Sequence, residues 1–231
     1  MTPQLTEIMA LLQSSEHADN QRGVARLMGS AALLEQVLDG CHIGEDGALV
    51  AGPLLQAVPE RDAVLLALLD HRGSLRGAEV LRLEGYQGTL PPLPALRQLT
   101  LRGGCSEEAL RAAAGLATLT ALDLSGASTL ASLPDLGALV GLQKLSLAGC
   151  AALKDLRSLA GLTALVSLDL TGCDSVTDLS PLAGLDDLEL VSSDRLQRLH
   201  RRQRQRKRRV GWAEDTRRRK KRRSRKRNQK R

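Results

Sequence analysis

The strongest constraint on the fold of this chain is a leucine pattern that repeats every 23 residues. Seven leucines between Leu130 and Leu147 recur, position for position, between Leu153 and Leu170. Five apolar positions of the pattern return from Val176 to Leu188, and its second half precedes at 93–101 and at 116–124. One such unit cannot bury its leucines alone, whereas ~3 or more stacked units can, so the repeat predicts a solenoid.

The spacing inside one unit predicts its local structure. A Leu-x-Leu pair near the end of each unit alternates with period two, as in a half-buried strand, and Leu81-x-Leu83 is a first, degenerate example. The other leucines recur every third residue, which is typical of a 3₁₀ or loosely helical return segment. Each strand is followed by a glycine that permits the turn out of the sheet. Cys150, Cys173 and Ala127 come next, as small side chains that we expect to be buried.

Two of these units also resemble a known family. The segments SLDLTGCDSVTDLSPLAGL (Ser167 to Leu185) and KLSLAGCAALKDLRSLAGL are similar to bacterial leucine-rich repeats of the internalin-like type. The resemblance covers about residues 80–199 and implies an α/β fold, a short solenoid with parallel β-strands on its concave face. The asparagine that often follows the strand in that family is replaced here by Cys or Ala.

Both flanks of the repeat differ from it. Residues 1–78 contain LTEIMALLQ, GVARLMGSAALLEQVLDG and PERDAVLLALLDHRG, whose apolar residues have helical spacing, and CHIGEDGALVAG, which suggests a hairpin. We therefore predict a helical N-terminal cap domain at 1–78, the solenoid at 79–199, and a basic tail at 200–231. The segment DRLQRLHRRQRQRKRR is compatible with a helix that leaves the solenoid, and the charge density of the tail otherwise predicts disorder.

Charge is divided unevenly along the chain. Residues 201–231 hold 19 Lys or Arg and two acids, a net charge of +17, so the remainder of a chain with net charge +7 carries −10. Three interpretations of the tail stay open: contact with nucleic acid without sequence preference, nuclear targeting through KKRRSRKR in a eukaryotic host, or a translated out-of-frame stretch without function. The predicted nucleic-acid contacts are Arg206, Lys207, Arg208, Arg209, Arg217, Arg218, Arg219, Lys220, Lys221, Arg222 and Arg223.

No pattern in the chain predicts catalysis, a cofactor or a metal. The four cysteines have no zinc-site spacing and no CxxC, and the four histidines share no motif. The sequence contains no HExxH, GxSxG, GxGxxG or P-loop. The N-terminus lacks the basic start of a signal peptide, and no stretch approaches the ~18 apolar residues of a membrane helix. We expect a non-enzymatic, cytoplasmic protein without a membrane segment, or a nuclear one in a eukaryotic host.

Outward residues of the predicted strands are the candidate binding site. The pattern places Thr100, Asp123, Ser146, Asp169 and Glu189 in one row, and Gln98, Ala121, Lys144, Ser167 and Asp187 in a second row. From Thr100 to Asp194 there are twelve acids and five Lys or Arg. The face therefore suits a basic protein partner, unless it is only a solvated face. Lysine at both Asp123 and Asp169 is expected to abolish binding with little change in melting temperature, because both should be exposed.

The predicted function is a non-enzymatic protein–protein interaction module that uses the leucine-rich-repeat surface. Nucleic-acid binding through the basic tail is the alternative.

Overall fold

The computed structural model describes residues 2–58, 61–203 and 205 of the chain. The helices are α1 (Pro3–Leu12), α2 (His17–Met28), α3 (Ala31–Val37), α4 (Arg61–Arg72) and α5 (Glu107–Ala114). The strands are β1 (His42–Ile43), β2 (Leu49–Val50), β3 (Val80–Glu84), β4 (Gln98–Arg102), β5 (Ala121–Asp123), β6 (Lys144–Ser146), β7 (Ser167–Asp169) and β8 (Glu189–Val191). Short 3₁₀ helices lie at Arg157–Leu159 and Ser180–Gly184, and residues 194–203 are helical.

Strands β3 to β8 form one parallel sheet in which each strand pairs with the next strand of the chain. Leu122, Leu145 and Leu168 are aligned partners in β5 to β7, so the pairing repeats every 23 residues there. The last step, from Leu168 to Leu190, is 22 residues. Parallel neighbours need a return segment between every two strands, which the leucine-rich stretches supply. The predicted combination of helices with a parallel sheet is confirmed.

The leucines of the repeat face a single core. Leu145 and Leu168 are each at most 2% exposed. Full burial of a leucine contributes on the order of 1.5–3 kcal/mol relative to leaving it exposed. The same cluster of buried side chains includes Leu5 of α1 and Leu196 after β8. The helices and the sheet therefore share one core, while the domain limits at residues 78 and 199 stay predictions.

The segments between strands differ in local structure. The 3₁₀ helices Arg157–Leu159 and Ser180–Gly184 occupy equivalent places after β6 and β7, as the three-residue leucine spacing predicts. The segment after β4 instead contains α5, where Ser106 acts as N-cap by accepting a hydrogen bond from the Ala109 N–H at 3.0 Å. Its sequence EEALRAAA has a high helix propensity, which the leucine pattern alone does not reveal.

Glycines at the strand ends form a second stacked column. Gly126, Gly149 and Gly172 have φ angles of 79°, 75° and 74°, a conformation that residues with a side chain rarely adopt. A Cβ atom at Gly172 would lie 3.4 Å from the Gly149 Cα atom, so the backbone of one turn packs directly on the next. The N–H groups of Gly126 and Gly149 donate to the carbonyl oxygens of Ala148 and Thr171, both at 2.7 Å.

The N-terminal part covers the first edge of the sheet. Strands β1 and β2 form the predicted hairpin, with His42 opposite Val50. Ala48 forms a parallel bridge with Arg82 of β3, and the Arg82 N–H donates to the Gly47 carbonyl oxygen at 2.8 Å. An uncovered edge strand exposes unpaired backbone groups that promote aggregation. The hairpin therefore protects β3.

Replacing Leu168 by Asp should strongly destabilise the array. The substitution buries an unpaired carboxylate in the leucine cluster, at a cost of several kcal/mol, which is comparable with the whole stability of a small domain. Val166→Asp is the matched control because Val166 is 49% exposed, and it should shift the melting temperature only slightly. Thermal unfolding followed by circular dichroism measures both. Unchanged melting of Leu168→Asp would contradict the register of the sheet.

Candidate functional site

The outward side chains of β4 to β8 form a surface that we call the strand face. Strand pairing arranges them in two rows, with neighbouring strands about 4.8 Å apart. The first row is Gln98, Ala121, Lys144, Ser167 and Glu189, and the second row is Thr100, Asp123, Ser146, Asp169 and Val191. Four of the predicted site residues, Thr100, Asp123, Ser146 and Asp169, are thus brought together in the second row, and Lys144 lies in the first.

The position predicted for Glu189 is wrong. The sequence pattern places Glu189 in the same row as Asp169, whereas strand pairing aligns Glu189 with Ser167 and aligns Asp169 with Val191. Glu189 is exposed. It therefore extends the first row, two residues earlier along the strand than the pattern indicates.

The position predicted for Asp187 is also wrong, for the same physical reason. Asp187 is exposed in a turn that precedes β8 and is not part of the strand. One residue separates Leu188 from Leu190, whereas two residues separate Leu165 from Leu168 in the preceding unit. The missing residue makes Leu188 the end of the return segment and moves the strand forward.

The strand face contains a shallow groove of about 250 Å³ across β4 to β7. Thr100, Asp123, Ser146 and Asp169 line it and are half-buried, and the exposed Lys144 lies at its side. The groove is smaller than the ~300–1,000 Å³ of ordinary small-molecule pockets. Its shape fits part of a protein surface better than an enclosed small ligand.

Asp123 and Asp169 are bound to the backbone at the ends of their strands. The Ser125 N–H donates to Asp123 Oδ1 at 2.9 Å, and the Thr171 N–H donates to Asp169 Oδ1 at 2.8 Å. Arg102 adds an ion pair to Asp123, with Arg102 Nε 2.9 Å from Asp123 Oδ2. Both carboxylates therefore stabilise the turn that follows their strand, as Asx turns do.

The protonation equilibrium of Asp123 reflects these contacts. Burial raises the pKa of Asp123, but the hydrogen bonds from Ser125 and the hydrogen bond and charge of Arg102 lower it further, so its pKa lies below the ordinary value. Asp123 is therefore ionised at neutral pH and paired with Arg102. Among the described residues, no cation lies within ion-pair distance of Asp169 or Glu189. The free negative charge of the strand face is thus at β7 and β8.

The expectation that lysine at Asp123 would be tolerated is corrected by this geometry. The Asp123 side chain is 21% exposed, and Asp123→Lys should lower the free energy of unfolding by about 1–2 kcal/mol because the Ser125 N–H loses its acceptor. Asp123→Asn is the matched control, since its amide oxygen can still accept that bond. Urea unfolding at neutral pH measures both, and equal stability of the lysine variant and the unchanged protein would disprove the structural role.

Acid should reveal the same contact. The lowered pKa of Asp123 means that its stabilisation is complete at neutral pH and is lost as the pH falls through the folded-state pKa. The Asp123→Asn variant cannot titrate at this position. Its unfolding free energy should therefore decline less between neutral and acidic pH than that of the unchanged protein.

The cysteines that follow the strands are packed side chains with backbone partners. Cys150 Sγ donates to the Leu124 carbonyl oxygen at 3.4 Å, and Cys173 Sγ donates to that of Leu147 at 3.0 Å. Burial raises the pKa of both thiols, that of Cys173 to about 11. Cys105 is half-buried, and burial raises its thiol pKa as well. Within the described residues no group of three or more His, Cys, Asp or Glu has the geometry to hold a metal ion.

Thiol reagents should distinguish these positions. At mildly alkaline pH, Cys150 and Cys173 should react with a chromogenic disulfide only after denaturant is added, because they are buried and remain protonated. Cys105 should react earlier because it is partly exposed. Cys105→Ala, as control, should remove only the earlier phase. Rapid labelling of Cys173 in the folded protein, or stoichiometric zinc lost on Cys→Ala substitution, would contradict the packing role.

A second concave surface lies on the helices, where α2 and α4 meet the loop after β3. No sequence signal marks it, because helical periodicity identifies the buried face of each helix and not the channel left between two helices. This surface was not among the predicted sites.

The predicted nucleic-acid contacts, Arg206–Arg209 and Arg217–Arg223, lie outside the described residues. The helix predicted to leave the solenoid is present at residues 194–203, where Leu196 is buried. No helix in the part of the chain that the structure describes is long and apolar enough to cross a membrane.

Comparison with known proteins yields little beyond the fold. No protein-family model matches the chain, and no curated protein matches it. A solved internalin from Listeria monocytogenes is similar to it with a TM-score of 0.43 and 20% sequence identity, over 74% of this chain. The chain spans 45% of the length of that internalin. The functional assignment therefore rests on the geometry of the strand face.

Proposed function

We propose that the chain is a short leucine-rich-repeat solenoid of the internalin-like type that recognises another protein through its strand face. The observation that carries this proposal is the in-register row of Thr100, Asp123, Ser146 and Asp169 along a groove, on strands whose other side is leucine. Packing constrains the inward residues of a repeat array, whereas its outward residues form an extended binding surface. The role needs no catalytic group or cofactor, and we place it in the cytoplasm.

Short side chains dominate the strand face. Thr100, Ser146 and Ser167 carry hydroxyls that can donate and accept hydrogen bonds, and Ala121 leaves space beside them. Tight interfaces are usually centred on aromatic or arginine side chains, and neither row of the strand face contains one. The partner is therefore expected to supply the bulky side chains that enter the groove.

The charge of the strand face specifies one end of the interface. Arg102 neutralises Asp123, whereas Asp169 and Glu189 lie on the adjacent strands β7 and β8. Lys144 contributes a positive charge on β6. The best complement is a partner whose basic residues face β7 and β8 and whose neutral or acidic residues face β6.

An affinity pull-down with mass spectrometry, comparing the unchanged chain with two variants, tests this proposal. Ser146→Arg places a long charged side chain in the groove and should remove the captured partner. Ala160→Arg makes a similar change at an exposed position of a return segment, so it should retain the partner. Both variants should stay folded by circular dichroism. Equal capture by the two variants would move the interface away from the strand face.

Nucleic-acid binding through the tail is the second candidate function. The observation that favours it is the density of positive charge, 19 Lys or Arg among residues 201–231. Binding would release condensed counterions, so the affinity would fall with salt with a log–log slope of about −0.9 per phosphate neutralised on duplex DNA. Little sequence preference is expected, because Trp212 is the only ring in the tail that could stack on a base.

Deleting residues 206–231 should separate the two candidate functions. The shortened chain has a net charge of −7, so it should no longer retain nucleic acid at low salt, and it should still capture the protein partner through the strand face. Filter binding and the pull-down measure the two activities. Full nucleic-acid affinity in the shortened chain would exclude the tail as the contact.

A further inference from the structure

The helices carry an open apolar surface that we call the cap trough. Its floor consists of Val24 and Met28 of α2 with Ala63 and Ala67 of α4, and Tyr86 forms a wall. Two adjoining pockets of about 540 and 520 Å³, which share Ala63 and Tyr86, make up the trough. The floor side chains are only half-buried. Apolar surface is therefore available for a further contact.

The wall of the cap trough is held in place by hydrogen bonds. The Tyr86 hydroxyl donates to the Thr89 carbonyl oxygen at 2.7 Å, and Ser106 Oγ donates to the Gly88 carbonyl oxygen at 2.9 Å. Burial, together with the carboxylate of Asp62, raises the pKa of Tyr86 to about 12, so the hydroxyl keeps its proton and stays a donor. A surface that is ordered in advance costs less entropy when it binds.

Carboxylates line both pockets of the cap trough. Asp70 and Glu108 line the first pocket, and Asp62 and Glu84 line the second. Arg61 also lines the second pocket and pairs with Asp62 at 3.2 Å, which leaves an excess of negative charge. The cap trough thus combines an apolar floor with acidic ends, and it fits a segment that has an apolar centre between basic blocks.

We propose that the cap trough binds the C-terminal tail of the same chain, with Val210 and Trp212 on the floor and the basic blocks on the acidic ends. The tail has the complementary pattern, since Arg206–Arg209 precede its apolar residues and Arg217–Arg223 follow them. A tryptophan side chain buries ~150–250 Å² in such a contact, and the small alanines of the floor leave room for it.

The length of the chain permits this contact. Tyr86 directly follows the first strand of the parallel sheet, and Gln205 lies beyond the last strand. Six strands about 4.8 Å apart span ~24 Å, and the extended chain from Gln205 to Trp212 spans up to ~24 Å. The tail therefore reaches the cap trough of its own chain.

The last units present a competing acidic surface. Residues 158–194 contain seven acids and no Lys or Arg, and Asp174 and Asp187 among them are exposed. Charge alone would attract the basic blocks to this surface, but exposed carboxylates offer an indole ring no apolar contact. The environment of Trp212 therefore distinguishes the two surfaces.

The chain carries its own probe, because Trp212 is its only tryptophan and Tyr86 its only tyrosine. In the full chain at low salt, Trp212 emission should be blue-shifted, and acrylamide should quench it several-fold less than in a free peptide of residues 206–231. Excitation of Tyr86 should sensitise Trp212 emission, because docking brings the two rings together. Raising the ionic strength to ~0.5 M should weaken both effects, since salt screens the acidic ends.

Variants of the full chain localise the contact. Ala67→Arg adds a positive charge to the floor and should raise quenching toward that of the free peptide. Asp70→Asn combined with Glu108→Gln should act in the same direction with little change in shape. Asp174→Asn combined with Asp187→Asn removes the same charge from the competing surface and should leave the emission unchanged.

Three results would overturn the proposal. Quenching of Trp212 in the unchanged protein could equal that of the free peptide, which would show that the tail is not docked. Protection could be lost in the control pair and kept in the trough variants, which would assign the tail to the acidic last units. Protection could also disappear on dilution, which would assign the contact to the tail of a second copy. Circular dichroism melting must show that each variant is folded.

Discussion

The stacking of strand leucines is the contact on which the rest of the structure depends. Leu145 is buried because β5 and β7 lie on either side of it and carry leucines in the same register. A repeated unit therefore gains its core only from its neighbours. The same constraint explains the stacked glycine turns and the small residue after each turn, because successive backbones must superimpose at a fixed spacing to keep the leucines aligned.

Periodicity made the inward half of the array predictable from sequence, and it also explains what could not be predicted. The strand leucines, the turn glycines and the buried Cys150 and Cys173 follow directly from the 23-residue spacing. Glu189 was misplaced because the last unit lacks one residue, and such a deletion can be located only when the strands are seen to pair. The backbone bonds of Asp123 and the cap trough depend on tertiary placement that no single segment encodes.

The two halves of each strand divide structure from recognition. Inward leucines stabilise the array, and the outward residues of the same strands, freed from packing, form the strand face. Asp123 shows that the division is incomplete, because it caps its own strand and is neutralised by Arg102. What remains for a partner is a groove of short polar side chains with negative charge at one end, while the basic tail belongs to a separate electrostatic system.

Photo-cross-linking from single positions tests the central claim, recognition through the strand face, most directly. A photoreactive amino acid at position 146 lies in the groove, and one at position 160 lies exposed on a return segment. The account predicts a covalent adduct with the captured protein from position 146 and none from position 160. An adduct from position 160 alone would contradict it and assign recognition to the return segments.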